Sequence, residues 1–286
     1  MRTRLISALL AAATLTVVAA CATEKPPAVE PPIDPGFRAG DIRAFRLPLD
    51  AYRLTPEQSR DFQRARLTLV RRCMNRFGFD YPLPPILPEF LAPNEKRYTL
   101  ADPRRAATVG YHDPEADERS RTIGADQAMS SAEEAVLNGL TGTAAGRPVP
   151  KGGCNATAFA QLGAEAEENL VETLSHAAYA KGMADSRTVR AHARWSACMR
   201  ARGYDYADPF ASNDDPRFAT PAPTRVEIAV ATADVACKTG IGYYDLRAAL
   251  ETAYQRREIE ANRAALETIK TRNAALLRRV AEVNAA

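Results

Sequence analysis

The chain has 286 residues, with 38 Lys and Arg against 35 Asp and Glu, so its formal charge at pH 7 is only +3. A balance this close to neutral argues against a dedicated nucleic-acid binder and against a polybasic membrane-surface protein. The length allows one large domain or two small ones with a real core.

Met1-Arg2-Thr3-Arg4 is a short basic start, and Leu5 to Ala20 follow without a charge or a proline. That is the plan of an export signal. Its sixteen apolar positions fall short of the roughly 20 that span a bilayer as a helix. The run ends in Val18-Ala19-Ala20-Cys21, which resembles the lipobox of bacterial lipoproteins. In that family a diacylglycerol is attached to the cysteine sulfur and cleavage makes this cysteine the new N-terminus. The resemblance therefore implies that residues 1–20 are removed and that Cys21 carries a lipid anchor on the extracytoplasmic face of a membrane. The mature chain would hold 266 residues, 36 basic and 35 acidic. The alternatives are a transmembrane anchor and a soluble secreted protein.

Residues 22–36 contain five prolines, which predicts a stiff, extended tether, with the anchor and tether together covering 21–45. The first helix is predicted from Thr55-Pro56-Glu57-Gln58, where Thr55 caps, Pro56 suits the first turn and Gln58 completes a capping box. Phe62, Ala65, Leu69, Cys73 and Phe77 give it a buried face, and Gly78 ends it. Residues 80–152 are weakly periodic, with one helix signal from Ser131 to Gly139 that reads Ser131 and Glu134 as a capping box. Loops this long are functional or disordered.

Helices are then expected over Asn155 to Lys181, interrupted at Gly163 and ended by Gly182; over Asp185 to Arg202; and from the capping box Thr224-Arg225-Val226-Glu227 to Gly240. From Tyr243 the chain reads helical to its end. Ile259, Asn262, Leu266, Ile269, Asn273, Leu276, Val280 and Val283 step by three and four. This seam suits packing on the chain's own domain, or a coiled coil with a partner or a second copy. No stretch reads as a strand. The expected fold is all-α: a disulfide-braced helical domain over 46–286, with long irregular loops and halves at about 46–182 and 183–286.

The sequence around two cysteines repeats. Cys73-Met74-Asn75-Arg76-Phe77-Gly78-Phe79-Asp80-Tyr81 matches Cys198-Met199-Arg200-Ala201-Arg202-Gly203-Tyr204-Asp205-Tyr206, and Pro84 and Pro209 fall at the same offset. Six identities in twelve positions indicate a duplicated unit: a helix bearing a cysteine, a glycine stop and a fold-back segment. Cys73, Cys154, Cys198 and Cys237 are an even set in an exported chain and read as two disulfides. Three pairings are open; if each unit closes on its own next cysteine, they are Cys73–Cys154 and Cys198–Cys237.

The repeated motif, with Ala233-Asp234-Val235-Ala236-Cys237 and Gly152-Gly153-Cys154, resembles uncharacterised lipoproteins of high-GC Gram-positive bacteria. The resemblance covers most of the mature chain. It implies an envelope location and two disulfides, and it brings no activity.

Chemistry-bearing motifs are absent from the sequence. His112, His176 and His192 show no metal-ligand spacing, and there is no nucleophile elbow, S-x-x-K or P-loop. No metal, cofactor or catalytic residue is expected. Glu133, Glu134, Glu165, Glu167 and Glu168 suit solvated helix faces, although paired carboxylates also serve envelope hydrolases. Asp80 and Asp205 each sit between aromatics. Either they bond backbone amides in a turn, or Phe79, Asp80, Tyr81, Tyr204, Asp205 and Tyr206 form a ligand-binding rim suited to sugars. The reading is a lipid-anchored envelope module that binds or scaffolds a protein or cell-wall glycan.

Overall fold

The computed structural model describes residues 29–41, 44–83, 85–86, 92–116, 118, 129–164 and 169–286. The stretch expected to be an export signal, Cys21, Pro84 and Glu165, Glu167 and Glu168 lie outside the described residues. The chain is 64% helical and its described residues form one two-stranded sheet, so the fold is all-α. No helix of the described residues is long and apolar enough to cross a membrane.

Helix α1 (Pro56–Asn75) starts as expected: the Thr55 hydroxyl accepts from the Gln58 N–H, and Gln58 reaches back to the Thr55 N–H. A seven-residue helix, α2 (Pro103–Val109), follows, capped by Asp102. Helix α3 (Ser131–Asn138) is capped by Ser130 with Glu133, not by Ser131 with Glu134. Two S-x-x-E frames overlap here, and the earlier one lets Gly139 close the helix in the left-handed conformation. A minimal hairpin, β1 (Thr143–Ala144) and β2 (Arg147–Pro148), pairs Ala144 with Arg147 across Ala145-Gly146, both at positive φ.

Helix α4 (Gly153–Leu162) stops at the left-handed Gly163, and α5 (Leu170–Ala184) restarts at the Asn169 cap. Gly182 does not end α5. It is buried inside the helix, and a Cβ there would lie 3.3 Å from the Arg247 guanidinium. Helix α6 (Ser186–Arg200) begins on the Asp185 cap, and a short α7 (Pro209–Asn213) follows. Helix α8 (Arg225–Ile241) uses the Thr224–Glu227 box but runs past Gly240 to the left-handed Gly242. The long C-terminal stretch is two helices, α9 (Tyr243–Ala261) and α10 (Arg263–Ala285), broken at Asn262.

Pro31–Ala286 is one compact unit, so the two halves are not separate bodies. Helix α10 packs on α1, α9 on α5, α2 on α8 and α6 on α8. The heptad seam is spent within the chain. Leu276 and Val280 pack with Val70 and Met74 of α1, while Leu266 joins Leu49, Tyr52 and Leu174. Its polar position Asn273 donates to the Tyr52 carbonyl at 3.0 Å. Part of the 21–45 stretch expected to be a tether belongs to the folded body. Pro31 is buried with its carbonyl accepting from Arg187, the Ala39 N–H donates to Asp245, and Phe45 is core.

Both disulfides join the cysteines of their own unit: Cys73 to Cys154 and Cys198 to Cys237, with Cα separations of 5.6 and 5.8 Å. The repeated motif is a helix stop built twice. In the first copy Gly78 (φ 83°) donates to the Asn75 carbonyl and Phe79 to that of Met74; in the second Gly203 (φ 87°) donates to Arg200 and Tyr204 to Met199. This is the Schellman arrangement, which also brings the residue after the glycine against the residue five before it. Phe79 packs against the core that holds Met74, and Tyr204 against the core that holds Met199, so the shared Met, Gly and aromatic have one physical origin.

Candidate functional site

The six rim residues divide between the two copies. Phe79 and Tyr81 are half-buried against the α1–α4–α10 core, and Tyr204 and Tyr206 against the α6–α8 core. The structure does not bring the two sets into one apolar cluster. The Tyr206 hydroxyl donates to Asp215 at 2.7 Å and accepts from Arg217, so its polar end is already used. Asp80 and Asp205 are exposed, and neither carboxylate accepts a hydrogen bond among the described residues. The amide-binding turn expected for them does not form. Glu133 is used as a cap, where its bonds to Ser130 hold its carboxyl below the usual range. Among the described residues no group of three His, Cys, Asp or Glu is placed to hold a metal ion.

A first cleft, of about 360 Å³, opens beside Tyr111, His112, Asn213 and Asp214. His112 looks like a catalytic imidazole but is clasped at both nitrogens. Nδ1 lies 2.7 Å from the Glu227 carboxylate and Nε2 lies 2.6 Å from the Thr220 carbonyl. Glu227 also accepts from the Tyr111 and His112 backbone N–H groups at 2.8 and 3.2 Å. A general base needs one nitrogen facing the reacting group. Here both face protein oxygens, so the pair ties the loop after α2 to the start of α8.

Behind that loop lies a buried polar hub. Asp234 on α8 accepts from the Trp195 indole at 2.9 Å, the Tyr111 hydroxyl at 3.2 Å and Lys238 at 2.6 Å. Lys238 also donates to Thr99 and to the Leu100 carbonyl. Burial pushes the Asp234 carboxyl up and the Lys238 ammonium down, against the attraction between them. Asp234 and Lys238 are one helical turn apart, a spacing that in sequence reads as a surface pair. Both are fully buried, and neither lines the cleft beside His112.

A second buried charge, Arg247 of α9, donates to the Gly182 carbonyl and to Thr188. Its Nε and Nη2 have no hydrogen-bond acceptor among the described residues. The guanidinium instead lies between the rings of Tyr98 and Tyr179, 5.3 and 5.5 Å from their centroids. Aromatic faces attract a desolvated cation there.

The larger cleft, of about 670 Å³, lies between Phe37 with residues 45–56 on one side and α9 on the other. Its wall is a 3-10 turn, Pro48–Tyr52, fixed from behind. The Leu49 N–H donates to buried Gln255 at 2.9 Å, and Asp50 accepts from the Leu47 N–H and from Asn94, each at 2.8 Å. Gln255 in turn donates to Glu251, which also receives Arg97 and the Tyr98 hydroxyl. The lining is chiefly apolar, with Phe37, Phe45, Leu47 and Leu54, and Arg46, Arg53 and Arg256 stand around it. Its volume lies in the range of roughly 300–1,000 Å³ typical of small-molecule sites. No sequence motif marks this cleft, because its two sides are about two hundred residues apart in the chain. No protein-family model matches the chain, and neither a curated protein nor a solved structure is found to be similar to it.

Proposed function

We propose that the protein is a lipid-anchored component of the cell envelope, held on the extracytoplasmic face of a membrane through Cys21. Its helical body binds or scaffolds another envelope component without catalysing a reaction. The observation that carries this reading is Val18-Ala19-Ala20-Cys21 at the end of an uncharged apolar run. Two disulfides support it, since such bonds persist in oxidising compartments outside the cytoplasm. The preformed apolar cleft supports the binding role. Two or three acyl chains anchor stably where one holds only marginally. The test is fractionation of cells producing the Cys21→Ser chain. Release from the membrane fraction is expected; a variant that still sediments with membranes sinks the anchor.

A further inference from the structure

We propose that the cleft between residues 45–56 and α9 binds a single acyl chain carrying an anionic head group, a carboxylate or a phosphate. This inference deepens the binding reading above and rests on it for the ligand's setting. Three observations carry it.

First, the floor is apolar. Phe45 and Leu47 are buried, and Phe37 and Leu54 are left half-covered beside an open volume of about 670 Å³. Such a floor favours hydrocarbon, at about 0.8 kcal/mol per buried methylene.

Second, the charges around it are positive and unequally committed. Among the described residues Asp50 is the only acid of the lining, and its carboxylate is turned onto the Leu47 N–H and Asn94. Arg53 is paired with Glu172 at 2.6 Å, and Arg46 donates to the Phe45 carbonyl. Arg256 is exposed and has no polar partner among the described residues. Its guanidinium stands beside apolar surface, free to receive an anion, and a guanidinium matches both carboxylate and phosphate with paired donors.

Third, the wall is fixed before any ligand arrives. Leu49 is tied to the buried Gln255–Glu251 chain and Asp50 to Asn94, so little order has to be created on binding.

The test is photolabelling of the full-length protein in its own membranes with a diazirine-bearing long-chain fatty acid, followed by peptide mapping. Labelled peptides are expected from the Phe45–Thr55 segment and the α9 turn around Arg256. Ala51→Trp places an indole at an exposed position of the lining and should cut that labelling at least tenfold. Arg256→Ala should cut it about tenfold at limiting probe, the loss expected for one charge-assisted contact. Decanoate and decyl phosphate should compete, and their ratio separates a fatty-acid source from a phospholipid-like one; decanol should compete poorly. Intact disulfides in each variant, read by non-reducing peptide mapping, show that the body has folded.

Labelling that ignores Ala51→Trp, maps elsewhere, or is displaced by decanol as well as by decanoate overturns the proposal. Labelling unchanged by Arg256→Ala overturns its anionic part. The Cys21→Ser chain is labelled in parallel. Release from the membrane with no cleft labelling in the anchored protein rejects the site and leaves the anchor standing. Cleft labelling in a variant that stays membrane-bound does the reverse.

Discussion

The two copies of the helix-stop motif share a backbone and differ in what they enclose. At the same register, α1 carries Leu67, Val70 and Met74 where α6 carries His192, Trp195 and Met199. The methionines are equally buried, and the glycine stops have nearly the same φ. Around Val70 the buried core is apolar, with Leu69, Phe77, Leu162 and Val280. Around Trp195 it contains the Asp234–Lys238 pair, because the larger indole brings an N–H into the interior and requires an acceptor. The duplicated signal therefore specifies a turn and a cross-link but not a core. The partner helices decide the rest: Cys154 lies 81 residues from Cys73 on short α4, and Cys237 lies 39 residues from Cys198 on α8.

The largest test of that difference is removal of the cross-links. Loop-closure entropy alone gives about 4.5 kcal/mol for the Cys73–Cys154 bond and about 4 kcal/mol for Cys198–Cys237. Denaturant unfolding of Cys73→Ser/Cys154→Ser and Cys198→Ser/Cys237→Ser chains should show both losses, slightly greater in the first. A second-copy loss exceeding the first by more than about 1 kcal/mol would mean that the polar hub depends on its bond. Next comes the hub itself. Asp234→Asn leaves buried Lys238 without its carboxylate and should cost about 3 kcal/mol. Val70→Ala, at the matching core position of the first copy, leaves no polar group stranded and should cost less. If the two variants unfold at the same denaturant concentration, the hub is not what distinguishes the copies.

Much of the fold was legible because local chemistry decided it. Thr55, Asp185 and Thr224 cap helices whose first turns leave N–H groups open, and a helix-stop glycine reads the same in any context. What escaped was set by distant partners. Gly182 reads as a stop, yet α5 runs through it because Arg247 packs over it and uses its carbonyl. The start of α2 at Asp102-Pro103 carries a cap signal, but its seven residues are too few for a periodic pattern. Tyr98 and Tyr111 belong to stretches that read as loop, and both reach the interior to bond Glu251 and Asp234. The larger cleft left no trace in the sequence for the same reason. The shared Asp80 and Asp205 are the reverse case: the repeat makes them conspicuous, and no hydrogen bond or ion pair among the described residues explains them.

A smaller test concerns the shared turn. Both stop glycines have φ in the left-handed region, and a Cβ at either would meet nothing within 4 Å. The cost of Gly78→Ala and Gly203→Ala is therefore backbone strain alone, about 1 kcal/mol each. Equal losses in thermal or denaturant unfolding support one turn built twice. A marked inequality would show that the aromatic after the glycine, Phe79 or Tyr204, is held differently in the two cores.

The smallest effect separates the copies by pH. His192 occupies the register position of Leu67, with Nε2 3.1 Å from the Tyr243 hydroxyl and its ring 6.4 Å from that of Phe210. Burial lowers its pKa, Arg247 adds to this, and Asp208 opposes it. The folded chain therefore takes up the imidazole proton at lower pH than the unfolded chain, which does so near 6.5. Above that pH the group is neutral in both states and contributes no pH dependence. As the pH falls through about 6.5, the unfolded state gains a proton that the folded state refuses, and stability declines until the lower, folded pKa is passed. The loss on going from pH 7.5 to 5.5 should shrink in His192→Leu, which gives the second copy the first copy's side chain. Denaturant midpoints at the two pH values measure it. An undiminished loss in the variant would move the acid sensitivity to another group.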